Sequence, residues 1–248
     1  MPNETVYIAL DFGNTRVKCF VEDLRLLAAF TYDDGSWCDR LVSIILNECG
    51  SKNAIIGISS VNPEMSLRCA EELQKVGLHI ENTANIILER KLIDCSAISG
   101  MGDDRLHGLL GALELAKPPL ITIDCGTAIT FNVLDEHGIC LGGAIIPGFS
   151  TMLNALHNQA SLLPALKPVK TASLIGKTTN DAIMSGVNSV LAGGIKTMLT
   201  EYPNAAIIIM GGDGELLQSL LSPDIAKKSH YVENGIARGI FRALKSGI

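Results

Sequence analysis

The sequence is poor in aromatic residues: Phe, Trp and Tyr together make 4% of 248 residues, with a single Trp. It is also short of positive charge, with 20 Lys and Arg against 26 Asp and Glu and a net charge of −6. Nucleic-acid backbones call for basic stripes and single strands for stacking rings, so no nucleic-acid partner is expected. No apolar run approaches the roughly 18 residues of a membrane span, and no membrane partner is expected. The longest strand-like run is Ala205–Met210. Glu4 and the lack of a basic stretch before the first apolar residues argue against a signal peptide. The seven cysteines are odd in number and contain no C-x-x-C; the five histidines contain no H-E-x-x-H. A disulfide framework and a zinc centre are therefore not expected, and the cysteines read as small buried hydrophobes in a cytoplasmic protein.

What is there is 47% apolar residues, enough to bury a sizeable core, in a chain long enough for two domains. Val6–Leu10 has a strand pattern that ends in Asp11-Phe-Gly-Asn-Thr15, and Arg16–Val21 reads as a second strand after a tight turn. Ser36-x-x-Asp39 resembles a capping box before a helix. Ala54–Ser59 reads as a buried strand and Pro63–Val76 as a helix stopped by Gly77. Leu106, Leu109, Leu110 and Leu113 fall at helical spacing behind Gly102-Asp-Asp-Arg105. Pro118-Pro119 then punctuates the chain and is the expected domain boundary.

Beyond that point the pattern restarts. Leu120–Ile123 reads as a strand ending in Asp124-Cys-Gly-Thr-Ala128, and Ile129–Leu134 as its partner. Aligning Asp11 with Asp124 also aligns Gly13 with Gly126, and a D-x-G after a strand in both halves points to a duplicated unit. A long helix is expected over Asp181–Glu201, with Ile183, Val187, Val190, Leu191, Ile195 and Met198 inward and its glycines at close helix packing. The strand Ala205–Met210 then runs into Gly211-Gly-Asp-Gly214.

Chemically, a carboxylate at a strand end holds Mg²⁺, the glycine lets the turn approach a phosphate, and Asn and Thr add neutral donors. A plain hairpin turn favours the same residues, so each motif alone has two readings. The acidic pair in Gly102-Asp-Asp-Arg105 likewise reads as dipole-favoured helix-start charge or as a general base beside an anion clamp. On the second reading Asp104 is ionised, because the helix dipole and Arg105 favour the anion, while Asp103 faces another way. Gly176-Lys-Thr178 is no P-loop, since Thr171 stands where the first glycine belongs.

Taken in order, seven motifs resemble the series of the type III pantothenate kinases. They are D-x-G-N-T at 11–15, G-x-D-R at 102–105, D-x-G-T-A at 124–128, G-G-x-I-x-P-G at 142–148, L-P at 163–164, G-K-x-T-x-x-A at 176–182, and Gly211-Gly212. The resemblance implies an α/β fold of two duplicated ribonuclease-H-like domains with a nucleotide cleft between them, the actin-like ATPase fold. The domains would be 1–117, with the first phosphate loop and G-x-D-R, and 118–248, with the second phosphate loop and the adenosine motif. It implies ATP-dependent phosphorylation of pantothenate to 4'-phosphopantothenate, the first step of coenzyme A biosynthesis, by a homodimer. Carried over by position, ATP contacts fall on Asp11, Phe12, Gly13, Asn14, Thr15, Arg16, Val17 and Lys18, and on Thr127, Gly211 and Gly212. Mg²⁺ falls on Asp11 and a monovalent cation, K⁺ or NH₄⁺, on Asp124. Pantothenate falls on Gly102, Asp103, Asp104 and Arg105, with Asp104 as proton acceptor and Thr179 reaching across the dimer interface. Cys95 and Ile98 stand where the family usually has Tyr and Pro, and Met210 where Thr is common. Those departures leave two alternatives: a kinase for another small hydroxylated acid, or a non-catalytic regulatory relative.

Overall fold

The computed structural model describes residues 5–171 and 173–246. They form two compact units, one made of 1–115 with 234–248 and the other of 116–233.

In the first unit the chain runs β1 (Thr5–Phe12), β2 (Arg16–Val21), β3 (Leu26–Thr31), α1 (Trp37–Cys49), β4 (Asn53–Ser60), α2 (Pro63–Lys75), β5 (His79–Glu81), α3 (Thr83–Glu89) and α4 (Asp103–Ala112). Strand alternation divides β1 between two cores. Ile8, Leu10 and Phe12 pack with Trp37, Leu41, Ile45 and Leu73 of α1 and α2. Ala9 packs on the opposite face, and Asp11 shares that face by alternation.

The second unit holds β6 (Leu120–Cys125), β7 (Ala128–Leu134), β8 (Cys140–Pro147), α5 (Phe149–Gln159), α6 (Thr179–Thr200), β9 (Ala206–Met210), α7 (Gly214–Leu220), α8 (Pro223–Lys228) and β10 (Ser229–Val232). The first sheet has the order β3-β2-β1-β4-β5 and the second, from its β8 edge, β8-β7-β6-β9-β10. In each, the first three strands pair antiparallel and the last two add in parallel. The duplication read from the repeated D-x-G is thus a duplication of topology. Both aspartates end the central strand of their sheet.

The last helix, α9 (Gly235–Ser246), does not stay with the second unit. It returns to the first, where Ala237, Ile240, Phe241 and Leu244 pack with Ala9 and Phe20. This differs from the expected 118–248 domain, and the reason is packing: α9 has one strongly apolar stripe, and its partners are β1, β2 and α4. Pro118-Pro119, a cis peptide, lies just inside the second unit.

Other expectations change in detail. Ser36 does not cap α1; its N–H and hydroxyl both donate to Asp34, which turns the chain ahead of the helix. Val190 of α6 is 61% exposed rather than inward. A Cβ at Gly186, Gly193 or Gly194 would meet nothing within 4 Å among the described residues, so these glycines mark no close helix packing there. No cysteine is in a disulfide, and all but half-buried Cys95 are buried.

The tightest packing in the first unit joins α4 and α9. A Cβ on Gly111 would overlap the carbonyl of Gly235, and one on Gly239 would overlap the carbonyl of His107. The obstruction is backbone, which no side-chain rotation relieves. Gly239→Ala is expected to cost about 1–3 kcal/mol or more, roughly 2–4 °C in Tm for each kcal/mol in a chain of this size. Thermal denaturation followed by circular dichroism checks this; an unchanged Tm would mean that the two helices have room to separate.

Candidate active site

The first hairpin turn is built by β1 and β2. Asp11 pairs directly across the ladder with Lys18, and Phe12 with Val17. Gly13 N–H closes the turn on the Arg16 carbonyl at 3.0 Å, leaving Asn14, Thr15 and Arg16 exposed. Phe12 and Val17 point into the core, Phe12 edge-on to Trp37. Of the loop expected to meet ATP, these two can contribute backbone only. Tyr32 donates its hydroxyl to the Gly13 carbonyl at 2.8 Å and packs edge-on against Trp37, which fastens the turn from the side; nothing in the sequence signals that role.

Asp11 sits in a strained electrostatic setting. Desolvation pushes its carboxyl up to about 6; Lys18 pulls it down, and the charge of Asp104 adds to the rise. The charge of Asp104, on α4, is thus felt at Asp11 on β1.

The N-terminus of α4 carries the other acids. Gly102 is the N-cap and has no side chain to offer. Asp104 takes over: its Oδ1 folds back and accepts the Arg105 N–H at 2.7 Å. Burial raises the Asp104 carboxyl, and the Arg105 N–H and guanidinium only partly oppose it. Desolvation is a contribution that the sequence reading, which weighed the dipole and Arg105, did not include. The half-buried Asp103 carboxylate lies by the backbone N–H of Ser60 at the end of β4, which lowers it, while burial, the larger effect, and the Asp104 charge raise it.

Three desolvated carboxylates are thus gathered at the ends of β1 and α4. Among the described residues no three His, Cys, Asp or Glu side chains converge as a complete metal cage. Mg²⁺ needs none, since it is commonly held by one or two carboxylates, water and substrate phosphates. The hydroxyl of Ser59, fully buried and beside Asp11 in the parallel register, lacks a hydrogen-bond partner among the described residues. A destabilised carboxylate next to an unmet hydroxyl suits a hydrated divalent cation at Asp11.

In the second unit Gly126 N–H bonds the Ala128 carbonyl at 3.0 Å, closing a turn one residue shorter than its counterpart. The Thr127 carbonyl accepts from Gly148 N–H at 2.9 Å and from the Thr151 hydroxyl at 2.6 Å, at the start of α5. With its carbonyl tied inward, Thr127 stands exposed. Only glycine fits at 148, because a Cβ there would overlap the Gly126 carbonyl. Asp124 lies against Gly211, whose φ is +86° and whose carbonyl accepts from Tyr231 at 3.2 Å; a side chain at 211 would overlap the Asp124 carboxylate. The structure thus joins Asp124 to the Gly211-Gly212 turn, which the sequence left as separate motifs. Thr179 opens α6, exposed, after Thr178 caps the helix by accepting from Asp181 N–H at 3.2 Å.

Two sheets of one repeated order, each with an aspartate ending its central strand, define the actin-like ATPase fold. Solved structures agree: a protein titled a Baf family transcriptional activator from Campylobacter jejuni matches with TM-score 0.63 at 18% identity, covering 97% of this chain and 98% of that one. A 2-dehydro-3-deoxygalactonokinase from Sinorhizobium meliloti matches at 0.60 and 12% identity, covering 97% and 98%. MreB5 of Spiroplasma citri bound to ADP matches at 0.52 and 14%, covering 99% and 98%. At sequence level, the family model described as type III pantothenate kinase matches residues 7–201. Enzymes of that name from Sulfurihydrogenibium sp. (30% identical over 87% of this chain and 91% of that one) and Flavobacterium psychrophilum (34%, over 91% and 94%) are among its relatives. The chain belongs to the type III pantothenate kinase family.

Asp103 supplies a structural test of the acidic turn. Asp103→Asn keeps an acceptor for the Ser60 N–H and is expected to leave stability within about 0.5 kcal/mol of the parent. Asp103→Ala strands that N–H and is expected to cost about 1–3 kcal/mol. Urea denaturation separates them; equal midpoints would show that the Asp103–Ser60 bond is not made.

Proposed function

We propose that this chain transfers the γ-phosphoryl group of ATP to the primary hydroxyl of pantothenate in coenzyme A biosynthesis, and that Asp104 accepts the hydroxyl proton. The family match carries the reaction. The desolvated pair Asp11 and Asp104 carries the assignment of roles.

Phosphoryl transfer asks the protein for positioning and charge neutralisation more than for covalent chemistry. The backbone of 12–17, with the Asn14 and Thr15 side chains, would cradle phosphate oxygens, and Lys18 would neutralise charge across the ladder from Asp11. Thr127 would contribute a further ATP contact, and the bare backbone of Gly211-Gly212 would take the adenosine. Asp11 would hold Mg²⁺, which would neutralise phosphate charge, and Asp124 would hold K⁺ or NH₄⁺, which would offset further charge. Arg105 and Gly102 would hold pantothenate, Arg105 by pairing with its carboxylate.

As the hydroxyl oxygen bonds to the γ-phosphorus and the bond to the β–γ bridging oxygen breaks, the proton passes to Asp104 Oδ2. ADP leaves with the electron pair, and Asp104 releases the proton to solvent. Oδ1 stays on the Arg105 N–H, so the cap orients the base. Its raised carboxyl suits the task, because a base nearer neutrality accepts a proton more readily. We place the protein in the cytoplasm as a homodimer; among the described residues nothing lies within 4 Å of a Cβ built at Gly186, Gly193 or Gly194 of α6, and Val190 beside them is exposed. Thr179, at the start of the same helix, would reach the partner's substrate.

Asp104→Asn is expected to lower kcat by roughly 10²–10⁴-fold with little change in ATP binding. The base must be ionised, so activity falls as pH drops through its carboxyl. The acid limb of kcat is therefore expected above the ordinary carboxylate value of 3.8 and absent from the residual rate of the variant. Full turnover by Asp104→Asn would reduce the acidic turn to a helix cap.

The cation assignment has its own check. At fixed ionic strength, replacing K⁺ by Na⁺ is expected to lower turnover steeply, and equal rates would leave Asp124 purely structural.

A further inference from the structure

Beneath the acidic turn lies a buried imidazole that the proposed chemistry does not use. His107 is fully buried on α4, one turn beyond Asp103. Its Nδ1 is 2.6 Å from the Asp103 carbonyl oxygen, and its Nε2 is 2.8 Å from Thr83 Oγ1 at the start of α3. Thr83 Oγ1 in turn lies 2.9 Å from the Ile58 carbonyl of β4. A carbonyl only accepts, so Nδ1 carries the hydrogen. In the neutral ring Nε2 then accepts from the Thr83 hydroxyl, whose single proton is shared between Nε2 and the Ile58 carbonyl. Burial holds the ring neutral by lowering its pKa to about 4. The His107 backbone is itself fixed, because Gly239 of α9 presses on its carbonyl.

Asp103 is therefore tied to the end of β4: its carbonyl is reached from the Ile58 carbonyl through Thr83 and His107, and its carboxylate lies by the Ser60 N–H. Ile58 and Ser60 pair with Leu10 and Phe12 of β1, the residues that flank Asp11 on either side. The imidazole thus spans from the strand pair that carries Asp11 to the turn that carries Asp104.

We infer that His107 and Thr83 are positioning residues for phosphoryl transfer: a neutral imidazole strut that sets the reach of Asp104 relative to Asp11. The inference rests on the reading of Asp104 as proton acceptor. Its physical basis is that a misplacement of about 1 Å at a reacting group costs on the order of 10²-fold in rate.

The test uses the full-length enzyme with Mg·ATP and pantothenate. Thr83→Val keeps shape and removes the hydroxyl; Thr83→Ser restores it. Thr83→Val is expected to lower kcat about 5–30-fold, below the full 1 Å penalty because the Ser60 bond still holds. KM for ATP should stay unchanged, and Thr83→Ser should lie within about twofold of the parent. In an Asp104→Asn background, Thr83→Val should cause no further loss, because the strut acts only through that carboxylate. If Thr83→Val does not fold, His107→Gln gives the same comparisons. An unchanged kcat in Thr83→Val with Asp104→Asn impaired would overturn the strut and leave the base assignment standing. So would a loss of equal size in the Asp104→Asn background, or a failure of Thr83→Ser to restore the rate. Full turnover by Asp104→Asn alone would instead overturn the reading on which the strut rests.

Discussion

The first unit is organised by a contact that leaves no space for a side chain. α9 meets α4 backbone to backbone at Gly111, Gly235 and Gly239. Interiors are packed as densely as organic crystals, so such a contact fixes helix separation more firmly than interdigitated side chains do. The helix that carries Asp103–Arg105 is therefore held by residues more than 120 positions away in the chain. A salt bridge from Arg238 to Glu114 and a hydrogen bond from Arg242 to the Leu110 carbonyl decorate the same seam. Both lie near the surface, and the glycines carry the constraint.

Onto that rigid pair the fold mounts charge that it does not itself neutralise. Asp11, Asp103 and Asp104 are all raised by desolvation, and the Lys18 ammonium opposes the rise at Asp11. A triphosphate approaching such a cluster is repelled unless cations accompany it. The same logic explains why the sequence needs no basic stripe to handle phosphate: backbone N–H groups and metal do that work in turns of this kind.

Much of this was legible in the residues. The echo of Asp11-x-Gly13 at Asp124-x-Gly126 revealed the repeat because it fell after an apolar strand both times, and two sheets of one order bear that out. The α4 start was legible from leucine spacing behind Gly102. Burial was not. It raises Asp104 against the dipole and Arg105 that the sequence shows, and no one-dimensional pattern reports how far a carboxylate is removed from water. Long-range return was hidden too. The stripe of Ala237, Ile240, Phe241 and Leu244 signals an amphipathic helix without saying which unit it covers, so the second domain was drawn through to the C-terminus. Val190 and the α6 glycines were misjudged because an apolar or small residue at helical spacing looks the same whether it meets the core or open space. Thr83, His107 and Tyr32 belong to no motif; only their hydrogen bonds across 19 and 24 positions single them out.

The central claim is that this site moves phosphate from ATP to a pantothenate hydroxyl. Phosphorus NMR of the purified protein with Mg·ATP, K⁺ and pantothenate tests it most directly. The account expects one new phosphomonoester signal, on the primary hydroxyl of pantothenate, growing in step with ADP and dependent on pantothenate. ADP formed at the same rate without pantothenate, or no turnover of ATP at all, would contradict it.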